Sequence, residues 1–250
     1  MDIDSIDEPA GLKAVDAGAL AGRQLRFYDF SMAAFAVILI CSNLIGAAKP
    51  AQFDVPVFGV VTFGAGILFF PLSYVLGDVL TEVYGFARAR RVVWVGFGAS
   101  IFAAAMSWVI VSLPAADGYT GQAALAEVFG QVPRIFLASI LAFWAGEMAN
   151  AFMLARMKVW TQGRMLWTRT IGSTVVGQGV DSLIFYPLAF LGVWETALVV
   201  KVMLTNYALK VLWEVILTPV TYRIVAAFKR AEGVDVFDTR TDFTPFKAKV

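Results

Sequence analysis

Long apolar runs alternate with short polar stretches along this chain, and six of the runs approach the ~20 residues a helix needs to cross a bilayer. The first is Phe30–Ala48, held between Asp29 and Lys49. The second lies between Asp54 and the turn at Gly85 and carries no charge until Asp78. The third runs from Val92 to Leu113, where Pro114 closes it. The fourth is Ile135–Ala155, broken only by Glu147; the fifth lies between Arg169 and Glu195, broken only by Asp181. The sixth lies between Lys201 and Arg223 and is broken by Lys210 and Glu214. The pattern predicts an all-α polytopic membrane protein, a bundle of six transmembrane helices. The expected organisation is one transmembrane domain over residues 30–228, with solvated polar tails at 1–29 and 229–250.

The stretch Pro71–Arg91 concentrates the polar signal. Asp78 and Glu82 are four apart and share a helix face, and Arg88, Arg90 and Arg91 follow in what reads as a short loop. The loop after the fourth run holds Arg156, Lys158, Arg164 and Arg169, whereas the alternate loops hold Lys49, Arg134 and Lys201 at their edges. Basic loops stay in the cytoplasm, so both termini are expected there. Trp94, Trp108, Trp160, Trp167 and Trp194 fall near predicted helix ends, as interface anchors do. Pro71, Pro187 and Pro219 fall inside the second, fifth and sixth predicted helices. Each would free a carbonyl one turn earlier, although membrane helices also carry proline without such a role. Ser173 and Gly177 form a small-xxx-small pair that favours close helix packing.

Composition narrows the function classes. The 250 residues are 59% hydrophobic and 16% charged, where a soluble domain is roughly a quarter charged. The net charge of +1 is spread between apolar spans, so no nucleic-acid-binding face is expected. Cys41 is the one cysteine and there are no histidines, which removes disulfides, Ser-His triads and His-based metal sites. No metal and no cofactor is expected. The acidic start (Asp2, Asp4, Asp7, Glu8) is unlike a secretory signal.

The chemistry must lie in charges placed inside the apolar runs. Each costs at least ~2.5–3.5 kcal/mol near the bilayer centre, and the chain holds Asp78, Glu82, Glu147, Asp181, Lys210 and Glu214 there, with Asn43, Asn150, Gln178, Ser182 and Asn206 beside them. Lipid cannot solvate such a set, so it must converge on the bundle interior. Asn206, Lys210 and Glu214 step by four along one face; Gln178, Asp181 and Ser182 share another; Glu147 and Asn150 share a third. Asp181 and Lys210 sit near the middle of their spans and are expected to be neighbours. A purely structural role is as good an account of Lys210 and one acid, but a single lysine cannot neutralise five carboxylates. Glu82 lies one turn from the cytoplasmic loop, where water would reach it. Carboxylates with adjacent amides suit a ligand with several N–H donors, such as a guanine-like edge, and Tyr74, Phe143, Trp144, Phe185, Tyr186 and Tyr207 are aromatics able to sandwich a ring. The candidate substrate-binding residues are therefore Asp78, Glu147, Asn150, Gln178, Asp181, Lys210, Asn206, Glu214 and Asn43.

Three blocks carry a family resemblance: GDVLTEVYGFARARR from Gly77, GQGVDSLIFYPLAFLG from Gly177, and YALKVLWEVILTPVTY from Tyr207. In sequence and spacing, over roughly Phe27–Phe228, the chain resembles the queuosine precursor transporters, also called the vitamin uptake transporter-like family. The resemblance implies a bacterial inner-membrane protein that imports 7-cyano-7-deazaguanine, and its aminomethyl relative, for tRNA modification. It places Asp78, Thr81, Gly177, Asp181, Lys210 and Pro219 in matching blocks. Glu147 and Asn150 fall at a position whose residue types vary in the family, and the acidic N-terminal stretch is outside its pattern. The implied partners are the lipid bilayer and a small deazapurine, with no nucleic acid; a homo-oligomer stays open.

Two other readings compete. A substrate-capture subunit for a vitamin-like molecule would need a separate energising complex, and the chain has no nucleotide-binding G-x-x-x-x-G-K-[ST] loop of its own. An intramembrane aspartyl protease would use Asp78 and Asp181. The run Gly177-Gln178-Gly179-Val180-Asp181 is one residue too long for the Gly-x-Gly-Asp pattern, and the second run lacks Tyr-Asp. The chain is therefore not expected to be an enzyme.

Overall fold

In a computed structural model the apolar runs are helices, the form in which a segment satisfies its own backbone hydrogen bonds without water. The structure describes residues 14–16, 24–42, 50–55, 59–64, 68–129, 133–193 and 195–246. The helices are α1 (Tyr28–Ile40), α2 (Phe70–Tyr84), α3 (Phe86–Ser112), α4 (Gln122–Phe129), α5 (Pro133–Trp160), α6 (Leu166–Phe190) and α7 (Thr196–Glu232). By length and composition α3, α7 and the Phe136–Trp160 part of α5 can each cross a membrane, and α1 is a shorter apolar helix. The 25 residues of α6 are long enough, but they include Arg169, Gln178 and Asp181. The 37 residues of α7 span ~55 Å, more than the ~30 Å hydrocarbon core requires.

The second predicted run departs from expectation. In its first part β3 (Gly59–Gly64) pairs antiparallel with β2 (Pro50–Val55), which reaches the run only at Val55, from Pro50↔Gly64 to Val55↔Gly59. The β-branched and aromatic residues of VPVFGVVTFG, punctuated by proline and glycine, favour strands over helix. Among the described residues there the α-helix is α2, and its 15 residues cover ~22 Å. Pro71 consequently lies in the first turn of α2, where the missing N–H costs nothing. Pro187 and Pro219 do lie inside α6 and α7. The helix α4 falls in a stretch expected to be loop.

α2 is the hub. It packs against α1, α3, α5 and α7, while α5 lies along α6 and α6 along α7. Every residue from Gly77 to Arg90 is buried. The core around it includes Phe35 and Leu39 of α1, Val79, Leu80, Val83 and Tyr84 of α2, and Tyr222 and Val225 of α7. The large exposed apolar residues are on the outer helix faces, among them Trp108 and Trp160, the surface a bilayer would cover.

The basic end of the bundle is built differently from the sequence expectation. Arg88, Arg90 and Arg91 form the first turns of α3 rather than a loop, and only Arg91 is exposed. Glu82, expected to be solvated, is fully buried. Arg169 grips both its oxygens at 3.2 and 2.9 Å, Lys229 donates to it at 2.8 Å, and the Lys158 ammonium lies 3.2 Å away. Lys158 also donates to the Glu82 backbone carbonyl. The ends of α5, α6 and α7 supply cations that sequence distance hid.

The tails correct the expectation in the same region. Strand β1 (Ala14–Asp16) pairs in parallel with β4 (Asp235–Phe237), register Ala14↔Asp235, so neither tail is wholly solvated. Asp235 joins the ion cluster, 2.6 Å from Lys158 and 2.8 Å from Lys229. Asp238 accepts the Phe86 N–H at 2.9 Å and so caps α3 from a distant part of the chain. Gly85, at φ 82°, permits this turn; a Cβ there would sit 2.7 Å from Val236 Cγ1. Arg90 donates to the carbonyls of Asp242 and Thr244, and the Trp94 indole to that of Pro245. Phe243 lies against Phe86 and Phe152, with the Arg156 guanidinium 4.4 Å from its ring centre. At the same C-terminal end of α7, Glu232 accepts from the backbone of Arg26 and Phe27 and from the Tyr84 hydroxyl, fixing the entry to α1.

Candidate functional site

The interior polar site forms where α5 crosses α6. A Cβ on Gly146 would lie 2.8 Å from Asp181 Cβ and 3.0 Å from the Gly177 carbonyl oxygen. One on Gly177 would lie 2.7 Å from Asn150 Cβ and 2.9 Å from the Gly146 carbonyl oxygen. Two glycines thus let the backbones touch, the close packing read from the small residues of the fifth run. The crossing sets Asn150 and Asp181 on either side of it.

Asp181 accepts a charge-assisted hydrogen bond from Lys210 of α7 at 2.6 Å, with each side chain 16% exposed. The neighbour relation expected from helical depth is present. Asn206, one turn earlier, donates its amide to the Tyr186 hydroxyl at 2.7 Å.

Deeper in the bundle Asp78, Glu147 and Glu214 are in no ion pair among the described residues. Asp78 is 0% exposed, and Asn150 donates to its Oδ1 at 3.0 Å. Its Oδ2 and the Asn150 Oδ1 make no hydrogen bond. Glu214, also 0% exposed, faces Asp78 from α7 and the Thr174 hydroxyl from α6, yet neither carboxylate oxygen makes a hydrogen bond of ordinary geometry. The Ser182 hydroxyl is likewise buried without a partner. Glu147 lies against the α2 backbone, with its Oε2 3.2 Å from where a Cβ on Gly77 would be, beside a small void lined by Gly77, Thr81 and Ala151. Its electrostatic neighbours are Asp181, Lys210 and Glu214. Gln178 accepts from the Tyr74 hydroxyl at 3.0 Å. The unpartnered atoms are mostly acceptors, and a buried acceptor without a donor is costly.

The structure therefore brings Asp78, Glu147, Asn150, Gln178, Asp181, Lys210 and Glu214 together between α2, α5, α6 and α7. Asn206 stands beside them and Asn43 lies outside the described residues. Glu82 separates from the set into its own ion cluster. Among the candidate aromatics, Tyr74 donates its hydroxyl to Gln178, Phe143 packs on Phe35, and Trp144 stacks on Phe246. Thr174 was missed because a threonine in an apolar helix carries no periodic signal of its own. No group of residues suited to a metal ion occurs among the described residues.

The family model described as "Putative vitamin uptake transporter" matches residues 64–224, which include α2, α3, α5, α6 and most of α7. The chain belongs to this family. It is a family of transporters rather than enzymes, and the vitamin uptake transporter fold here is a helical, multi-pass membrane protein. A Bacillus subtilis protein named "Probable queuosine precursor transporter" is 32% identical over 73% of this chain and 78% of its own. The "Queuosine precursor transporter" of Escherichia coli is 31% identical over 56% of this chain and 60% of its own. A Haemophilus influenzae protein, also "Probable queuosine precursor transporter", is 25% identical over 50% of this chain and 51% of its own. No solved structure matches.

Proposed function

We propose that this protein imports queuosine precursors, 7-cyano-7-deazaguanine and its aminomethyl form, across the bacterial inner membrane for tRNA modification. The observation that carries the reading is the buried, acceptor-rich set between α2, α5, α6 and α7, in which, among the described residues, Asp78 Oδ2 and Asn150 Oδ1 receive no hydrogen bond and the Glu214 oxygens receive none of ordinary geometry. A guanine-like edge presents adjacent ring and exocyclic N–H groups, the complement of such acceptors. The names of the three relatives agree with that ligand class.

The substrate site comprises Asp78, Glu147, Asn150, Gln178, Asp181, Lys210 and Glu214, with Asn206 and Asn43 along the path. The chain crosses the membrane six times with both termini in the cytoplasm, which puts the Glu82 end of the bundle inside. Residues 30–228 carry the pathway. The test is queuosine in tRNA of a bacterial host that cannot make the precursor and lacks its own importer, expressing this protein and supplied with 7-cyano-7-deazaguanine at low concentration. Restored queuosine supports the reading. No restoration, with the protein present in the membrane, overturns the substrate; restoration only alongside an added ATPase complex would make the chain a capture subunit.

A further inference from the structure

The basic end of the bundle is closed by one carboxylate. Glu82 of α2 receives Lys158 from α5, Arg169 from α6 and Lys229 from α7, each within 3.2 Å, so three helices meet on a fourth at a single residue. The other acid in this cluster, among the described residues, is Asp235, which comes from the C-terminal segment and bridges Lys158 and Lys229. Two carboxylates therefore hold three buried cations. Loss of either acid leaves like charges facing one another in a dry site, and the repulsion drives the helix ends apart. The segment carrying Asp235 is laid across the same end through Val236 on Gly85, Asp238 on the α3 terminus, and Phe243 between Phe86 and Phe152. The cluster lies one helical turn beyond Asp78 on α2, and Arg169 is one turn from Ser173 on α6, so any route from the interior acids to the basic end passes it.

We propose that the Glu82 cluster and the 234–246 segment form the cytoplasmic gate of the transport pathway. The structure is the state closed on that side, and release of substrate inward requires Asp235 and Phe243 to leave their seats. A bundle locked for good by the same contacts would transport without moving them. The proposal rests on the reading above for the direction of transport and for the substrate.

Accessibility tests the gate without a substrate. In a Cys41→Ser background, Ser173→Cys places a thiol just inside the cluster, where the native serine is fully buried. In inverted vesicles a membrane-impermeant maleimide is expected to label it slowly. Adding Asp235→Asn, or Glu82→Gln, should raise the labelling rate roughly tenfold or more. Unchanged labelling in Asp235→Asn protein that retains its thermal transition overturns the gate. A second measurement uses Phe152→Cys with Phe243→Cys, whose native rings are 5.2 Å apart. A reversible bifunctional thiol reagent should stop deazaguanine uptake in this variant, and reduction should restore it; uptake that survives cross-linking overturns the gate. Absence of uptake by the unsubstituted protein would instead count against the substrate, and the labelling result would still decide the gate.

Discussion

Gly146 and Gly177 meet backbone to backbone, each held within about van der Waals contact of the other's carbonyl, with distances of 3.0 and 2.9 Å to a hypothetical Cβ on either. The contact is tighter than a methyl group tolerates, and its neighbours on each side are Asp181 and Asn150. The site geometry therefore hangs on the absence of two side chains.

Gly146→Ala or Gly177→Ala should push α5 from α6 and shift Asp181 and Asn150 away from Lys210 and Asp78. Overpacking of this kind costs about 1–3 kcal/mol, and uptake should fall with the displacement. Gly98→Ala on α3 is the control, since nothing lies within 4 Å of its Cβ position. It should leave uptake intact and thermal stability equal or slightly higher. Melting temperature and uptake measured on the three variants check both expectations; equal effects would show that the crossing does not set the site.

The Asp181–Lys210 pair should show strong coupling. Lys210→Ala strands a carboxylate, and Asp181→Asn strands an ammonium, each at a cost of ~3 kcal/mol for a mostly buried pair. The double variant removes both charges and should be more stable than the sum of the singles. A double-mutant cycle on thermal stability reads this, and all three variants should lose uptake if the pair contacts substrate. Full uptake in both well-folded singles would remove Asp181 and Lys210 from the site.

Asp78→Asn and Glu214→Gln should separate function from stability. Neither acid is in an ion pair in the described structure, and Glu214 makes no hydrogen bond of ordinary geometry, so neutral isosteres give up little folding energy. Uptake should nevertheless fall about tenfold or more, the effect of losing one hydrogen bond to a charged acceptor of ~1.5 kcal/mol or above. A melting temperature that drops in parallel with uptake would mark these acids as structural.

Asp238→Ala should destabilise α3 from the far end of the chain. Loss of an N-cap costs ~1 kcal/mol, which corresponds to a fall of ~2–4 °C in melting temperature for a protein of this size. Asp238→Asn keeps an acceptor for the Phe86 N–H and should lose less. Equal losses would show that the carboxylate charge, rather than the cap, is what matters.

The helical, membrane-spanning character was legible because it depends on local arithmetic. Apolar runs longer than a bilayer is thick, interrupted by rare charges, leave few alternatives to buried helices. The pairing of Asp181 with Lys210 was legible for the same reason: both lie at similar depth on polar faces that lipid cannot solvate. The inward convergence of Asp78, Glu147, Asn150, Gln178 and Glu214 followed from that argument too.

Only the tertiary structure decided what became of Glu82, the arginines after it and the C-terminal stretch. Helical spacing joined Glu82 to Asp78, but three cations from residues 158, 169 and 229 drew it into a separate cluster. Asp235, Asp238 and Phe243 read as a solvated tail because Lys158, Phe86 and Phe152, which they meet, are distant in sequence. Strand β3 and the end of β2 took part of an apolar run that hydropathy alone assigns to a helix. Hydropathy reports how dry a segment must be, and periodicity reports which residues share a face. Neither reports which distant charge will be the counter-ion, because that is settled by where packed helices bring their ends together.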